Sequence, residues 1–579
     1  MSNQFTPVIS SSRRLVSREV ALAVLVCLNL LSASPLSAVR AQNKPPVPAH
    51  SEQTAQADTI DSLRLRIASH ISQPRFAAAQ WGIKIVSLDT GKLIFEQNPQ
   101  KYFSPASNAK LYTAALALER LGTDYRIKTS LYSTSRPNAS GTLKADLIVY
   151  GRGDPTMAAR LNAGDYFKGL DPLITQLVNA GVRRIEGDLV GDESYFAGPP
   201  FGSGWEWDDL QAYYGAEASA LTVNDNAIDV FVKPAERAGM PCKITTGPMT
   251  SYVTFINRTQ TAARGSETAV TVYRPVGENY VFVTGRVAID SPNGYYTALA
   301  VHNPAGLFVS TLKEAMAARG ISVTGRTRVI DWKYREVTPI DFAKLIELGS
   351  VDSMPLGEII RETLKPSQNL YAQLLLLQVG AKWGLGVGGQ GSAKEVVSPN
   401  SNPQPATPNP RPPSPITYST TEEAGVASMN DFLETVGVKK GDVLLEEGSG
   451  LSRRDVITPQ ATVSLLSYVN RNRWADTFRN ALPIAGVDGT LQNRMKGTPA
   501  AGNVRAKTGS LRYVYTLSGY VTTSAGEHLA FSIMLNNYYN AERSAALRDP
   551  QAAGRPQPAP RDDLDAIAIM LAGFTGRSQ

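Results

Sequence analysis

Between residues 127 and 330 the chain changes texture, and that change limits the folds open to it more than any other feature. Before it, Ser62–Ser72 has helical periodicity, Trp81–Leu88 alternates as a strand, and Asp89-Thr90-Gly91-Lys92 reads as a turn into a hairpin partner at Leu93–Glu96. Pro105–Leu121 is built of helix formers with an apolar stripe at Leu111, Ala115 and Leu118. From 127 onward short β-like runs take over, broken by Gly and Pro: Leu147–Tyr150, Ala227–Val232, Tyr252–Ile256, Ala269–Tyr273 and Tyr280–Ile289. Helical texture returns at Leu307–Arg319 and Pro355–Val379. Strands follow at Asn503–Ser510, Tyr513–Thr522 and Leu529–Asn536, then a helix at Asp562–Phe574. This order predicts a helix-and-strand domain interrupted by inserted β-rich modules. The 579 residues suffice for two to four domains.

The ends and one internal segment read differently. Arg13, Arg14 and Arg18 precede an apolar run from Val20 to Leu31, with small residues before a cut after Ala38 or Ala41. Residues 1–41 therefore read as a secretory signal, against an uncleaved anchor as the competing reading. The run is shorter than the ~20 residues a membrane helix needs, so no membrane span is expected after cleavage. Residues 42–57 are a Pro/Ala/Gln-rich tether. Residues 386–415, with eight prolines from Pro399 to Pro415, form an insert expected to be disordered because it has too little apolar surface to offset its ordering entropy. Losing residues 1–41 removes four Arg and one Glu, which brings the net charge from +7 to +4. That balance suits an anionic wall, while the scattered basic residues give no nucleic-acid footprint. Cys27 lies in the leader, leaving Cys242 alone, so neither an intrachain disulfide nor a Cys-based zinc cluster is available.

Chemistry is narrowed by elimination. His50, His70, His302 and His528 are far apart, and none has an H-E-x-x-H or G-x-S-x-G neighbour. A Ser–His triad or zinc hydrolase is poorly supported, and no metal or cofactor is expected. A lysine-activated serine fits better. Ser107-Asn108-Ala109-Lys110 opens the helix that follows Pro105, and residues three apart share a helix face. For Lys110 to serve as a base, desolvation or a nearby cation must lower its pKa. A second S-x-x-K, Ser310 to Lys313, lies inside a helix and reads as structural. Ser367-Gln368-Asn369 follows Pro366 at a break between helical stretches, where a hydroxyl can relay protons and an amide can hold a carbonyl or the lysine. Lys507-Thr508-Gly509-Ser510 sits on a predicted strand. There a lysine and hydroxyl can receive a carboxylate, Gly509 permits close approach, and the Ser510 N–H can pair with that of Ser107 as an oxyanion hole.

S-x-x-K, S-x-N and K-T-G in this order are the elements of penicillin-recognising serine enzymes. The chain resembles one family among them, the class C low-molecular-weight penicillin-binding proteins, which are D-alanyl-D-alanine carboxypeptidases and endopeptidases. The resemblance also rests on Gly153-Asp154-Pro155, Gly204-Trp205-Glu206-Trp207-Asp208-Asp209, Asn224-Asp225-Asn226, Gly448-Ser449-Gly450-Leu451-Ser452-Arg453, Leu482 to Thr490 and Gly497 to Gly502. Together these span most of residues 60–540, and the gap of 257 positions from Lys110 to Ser367 accords with a family that carries two extra domains there.

The resemblance implies an α/β transpeptidase-like (β-lactamase-like) fold, a five-stranded, mostly antiparallel sheet flanked by helices. The N-terminal hairpin and C-terminal strands would share that sheet. The catalytic domain would comprise 58–126 and 331–579, with two β-rich domains at 127–330. It further implies that Ser107 is acylated, Lys110 takes its proton, and Ser367 relays a proton to the leaving amine. Asn369 would orient substrate and Lys110, Lys507 and Thr508 would bind the terminal carboxylate, and Asp192 would meet a stem-peptide amine. Peptidoglycan stem peptides are the implied partners and β-lactams the implied acylating inhibitors, in the periplasm or envelope. A β-lactamase and a catalytically feeble wall-binding protein are the rival readings. Glu447 departs from the family, which has Asp there, and the insert at 386–415 is not a usual part of the fold.

Overall fold

The strand His528–Asn536 (HLAFSIMLN) is apolar at nearly every position, so it needs cover on both faces. Its side chains alternate accordingly. Leu529, Phe531, Ile533 and Leu535 join one apolar cluster, while Ala530 and Met534 join another. In the computed structural model, which describes residues 58–383, 419–540 and 559–578, this strand is the middle of a five-stranded sheet. The order across it is 505–511, 514–522, 528–536, 80–87 and 93–97, with every pair antiparallel. The N-terminal hairpin and the C-terminal strands therefore share one sheet, as expected. The leader at 1–41, the tether at 42–57 and the insert at 386–415 lie outside the described residues.

Helices Ile60–Ile71 and Pro560–Ala572 cover one face through Leu63, Ile67, Leu564 and Ile567. The other face carries the larger cluster, formed by helices 109–121, 356–364, 369–383, 421–436 and 459–470. At the 93–97 edge, Arg64 donates to the carbonyls of Leu93 (3.1 Å) and Ile94 (2.8 Å), which occupies acceptors that an open edge would offer a second chain. Among the described residues no helix is long and apolar enough to cross a membrane.

The inserted region has its own core, which runs from Leu131 to Leu348 in the chain. Its largest sheet orders strands 327–330, 189–192, 147–150, 128–133 and 346–352. The pairing of 346–352 with 128–133 carries the insert past residue 330, where the sequence reading returned the chain to the catalytic domain. The segment IELGSVD alternates too weakly to announce itself as a strand. Two helices, Asp171–Asn179 and Pro304–Ala318, pack into the same core beside the strands. Its buried apolar residues form one contiguous cluster. At the base, Ile127 N donates to Ser353 Oγ (2.9 Å) and Ser353 N donates to Ile127 O (2.8 Å), which clasps the two ends of the insert together.

Candidate active site

Ser107 stands in a 3₁₀ turn, Ala106–Asn108, that runs straight into the helix Ala109–Leu121. A single apolar stripe was expected on this helix. Instead every residue from Ala109 to Leu118 is buried, because three helices and the nucleophile turn pack around it. The turn is held from two sides. Ala106 has φ of +46°, a conformation costly for a residue with a Cβ. Gly450 lies against it so closely that a Cβ on Gly450 would sit 2.0 Å from Ala106 O. On the other side Asn108 Nδ2 donates to Ser518 Oγ (2.7 Å), itself 3.0 Å from Ser532 Oγ, which ties the turn to the centre of the main sheet.

Lys110 is fully buried, and its Nζ lies 2.9 Å from Ser107 Oγ. It donates to Asn369 Oδ1 and to Ser449 O, each at 2.6 Å. A neutral amine has two N–H bonds and one lone pair. With both N–H bonds spent on carbonyl oxygens, the lone pair is left for the Ser107 hydroxyl, the arrangement a general base requires. Burial pushes the Lys110 ammonium down to about 7, against the negative charge of the neighbouring Glu447 and Asp455 pair, which pulls it up.

Ser367 occupies the break between helices Leu356–Leu364 and Asn369–Trp383, with φ of +65°. Its Oγ accepts from Lys507 Nζ at 2.8 Å. Asn369 opens the second helix, one end on Lys110 and the other donating to Tyr214 O at 2.8 Å. Lys507 is buried, bonds otherwise only to Thr508 O (2.9 Å), and has no carboxylate partner among the described residues. Its ammonium is pushed well down by burial and by Lys110 beside it. A substrate carboxylate would supply the missing counter-charge.

Lys507 belongs to the edge strand Arg505–Leu511, paired only on its inner side apart from contacts with residues 483–485 at its start. Ala506 N donates outward to Pro483 O at 3.0 Å. Backbone groups two apart on a strand point the same way, so the N–H groups of Thr508 and Ser510 also face outward, on the unpaired side of the strand. Thr508 Oγ1 donates to Thr490 Oγ1 at 2.8 Å. A Cβ on Gly509 would sit 2.7 Å from Pro105 O and 3.1 Å from Ala106 Cβ, so the strand seats directly on the turn that carries Ser107.

Asp192 is placed differently from the expectation. It ends the strand Leu189–Asp192 and is wholly buried. Oδ1 accepts from Ser194 N (3.1 Å) and Ser194 Oγ (2.6 Å), and Oδ2 accepts from Arg335 Nε (2.9 Å) and Nη2 (2.5 Å). Its charge is already answered inside the fold, so an incoming amine would have to displace Arg335.

Several residues at the site were quoted in the sequence reading without a role. The segment Gly204–Tyr214 of the insert packs against the residues around Asn369 and Ser452 as a lip beside the site. Tyr214 O holds Asn369, Glu206 pairs with Arg453 Nε at 3.3 Å, and a Cβ on Gly204 would meet Ser452 Oγ at 2.2 Å. Glu206, Trp207 and Asp208 are exposed on it. The tight cluster of two Trp and three acids was the available signal. The histidines stay apart from the site. His70 bonds Asp563 O, His302 pairs with Glu217, and His528 pairs with Asp89, while His50 lies outside the described residues. Ser310 and Lys313 sit mid-helix in Pro304–Ala318. Among the described residues no group of three His, Cys, Asp or Glu converges as a metal site.

Comparison with known proteins identifies the family and the fold. The family model described as D-Ala-D-Ala carboxypeptidase 3 (S13) matches residues 63–398 and 415–554. The chain belongs to the S13 family. The D-alanyl-D-alanine carboxypeptidase of Actinomadura sp. (strain R39) is 32% identical over 538 residues, covering 90% of this S13 chain and 86% of that protein. A D-alanyl-D-alanine carboxypeptidase of Haemophilus influenzae is 26% identical and covers 81% of this chain and 88% of its own. The crystal structure of penicillin binding protein 4 from that organism superposes with a TM-score of 0.66 at 23% identity, covering 87% of the S13 chain and 97% of its own, and shows the same fold.

Proposed function

We propose that this chain is a serine D,D-carboxypeptidase with D,D-endopeptidase action on peptidoglycan cross-links, and that β-lactams acylate the same serine. The observation that carries the reading is the buried Lys110 Nζ, held by the carbonyl oxygens of Asn369 and Ser449 and 2.9 Å from Ser107 Oγ. Ser107 Oγ attacks the carbonyl of the penultimate D-alanine while its proton passes to Lys110. The oxyanion lies between the N–H groups of Ser107 and Ser510. Ser367, in contact with Lys507, delivers a proton to the leaving amine. Lys507, with Thr508, holds the terminal carboxylate, and water then releases the acyl group. Asn369 keeps Lys110 aimed. A stem-peptide amine finds its acid in the exposed Asp208 of the lip rather than in Asp192. The basic-then-apolar leader at 1–41 supports export to the periplasm or envelope, where this substrate resides.

The test is intact-protein mass after incubation with a penicillin, together with D-alanine release from a pentapeptide ending in D-Ala-D-Ala. A long-lived adduct of one drug mass and stoichiometric D-alanine are expected. Drug consumption without an adduct would support a β-lactamase instead, and neither adduct nor turnover would support a wall-binding protein.

The base also fixes a pH dependence. Below about 7 Lys110 holds a proton and cannot take that of Ser107, so the acylation rate falls as pH falls. Stopped-flow acylation by a chromogenic β-lactam should show an acid limb near pH 7, with the rate dropping about tenfold per pH unit below it.

A further inference from the structure

Lys110 and the nucleophile turn rest on one loop, residues 447–452, and that loop is organised around a buried carboxylate. Glu447 is 1% exposed. Its carboxylate accepts from the backbone N–H groups of Ser449 (2.7 Å), Gly450 and Leu451 (3.0 Å). Drawing those N–H groups inward turns the Ser449 carbonyl the other way, onto Lys110 Nζ. It also sets Gly450, at φ of +77°, beneath Ala106. Gly448 is fixed separately, its N–H donating to Gln373 Oε1 (2.9 Å) and its carbonyl accepting from Thr113 Oγ1 (2.7 Å).

A second carboxyl lies against the first. Asp455 is buried, its Oδ1 accepts from Glu446 N at 2.9 Å, and its Oδ2 is a buried oxygen with no donor of its own. Two carboxylates in one dry site cannot both stay ionised. Glu447 has three N–H donors and Asp455 has one, so the charge belongs on Glu447 and the proton on Asp455. Burial first, and the Glu447 charge second, push the Asp455 carboxyl well up. The other charged groups around this pair are Lys110 on one side and Glu446 and Glu422 on the other.

We infer that Glu447, sharing one proton with Asp455, is a positioning residue that aims the Ser449 carbonyl at Lys110 and supplies the buried negative charge that steadies Lys110 as it takes the Ser107 proton. When Ser107 Oγ bonds to the substrate carbonyl carbon, its proton moves to Lys110 Nζ and an ammonium forms in a dry site. One unit of negative charge on the pair balances it without touching substrate. This rests on the serine-acylation reading above.

The experiment measures the acylation rate by a chromogenic β-lactam from pH 5 to 9 for wild type, Glu447→Gln, Glu447→Asp and Asp455→Asn, with far-UV and near-UV circular dichroism on each. Glu447→Gln should lower the plateau rate roughly ten- to hundredfold. Without the anion Lys110 holds its proton less tightly, so the acid limb should also move to lower pH by about one unit. Glu447→Asp keeps the charge and should keep the limb. Asp455→Asn keeps a donor toward Glu447 and one negative charge in the site, and should keep the limb. A Glu447→Gln limb at the wild-type pH would reduce Glu447 to a structural role and overturn the inference. An Asp455→Asn limb shifted as far as that of Glu447→Gln would place the charge on Asp455 instead, overturning the assignment even if Glu447→Gln fails to fold. Wild type that forms no adduct at all fails the parent reading and is seen before any variant is made.

Discussion

Ser107→Ala will take up no penicillin and will release no D-alanine, while keeping its fold. The hydroxyl contributes one hydrogen bond, to Lys110, which keeps its other two partners, Asn369 Oδ1 and Ser449 O. Melting temperature should therefore stay within about 2–4 °C of wild type. Loss of the nucleophile removes covalent catalysis outright, and kcat should fall about ten-thousand-fold or more, to whatever the oxyanion site and binding alone provide. Intact mass and a thermal melt on the same sample check both halves. A variant that still gains one drug mass would move the nucleophile elsewhere, and the buried Lys110 would then need another explanation.

Gly450→Ala should damage both stability and rate, although Gly450 touches no substrate. Its φ of +77° disfavours any residue with a side chain, and the new Cβ would sit 2.0 Å from Ala106 O and 2.9 Å from Ala109 Cβ. The obstacle is backbone, so a rotamer change cannot relieve it. A destabilisation of about 2–3 kcal/mol is expected in urea unfolding. Relief comes by pushing the Ala106 turn away, and that turn carries the N–H and hydroxyl of Ser107. A shift near 1 Å costs about a hundredfold in acylation. Normal acylation in a destabilised variant would show that the turn is positioned by Asn108 and the sheet alone.

How far the sequence revealed this arrangement depended on the range over which each signal acts. The strands around Trp81 and Leu535 were legible because apolar periodicity is local, and the three motifs were legible because each is three or four residues long. The helix at Ala109–Leu121 was read with one buried stripe, since periodicity reports the apolar residues and says nothing of how many neighbours surround them. The strand 346–352 was missed because it is an edge of its sheet and mostly only partly buried, so little apolar alternation is demanded of it. Asp192 misled for a related reason. A carboxylate in a loop-like Gly-Asp-Glu-Ser looks available, and the arginine that answers it lies 143 residues further on. Glu447 was noticed as a departure, but its three N–H bonds depend on a loop conformation that no short motif spells out.

The central sheet has a consequence for how such a chain is made. Trp81 pairs with Leu535, and the edge strand that carries Lys507 reaches the N-terminal hairpin only through 514–522 and 528–536. A chain that emerges from a ribosome or a pore with its N-terminus first can close the insert on its own core, because both ends of that unit are clasped by residue 353. The first hairpin must wait for partners that arrive more than 400 positions later, and long-range pairing of this kind is slow. Reactivity toward acylating agents is therefore withheld until almost the last residue is delivered. A truncated or stalled chain cannot present a working nucleophile, however complete its first three hundred residues are.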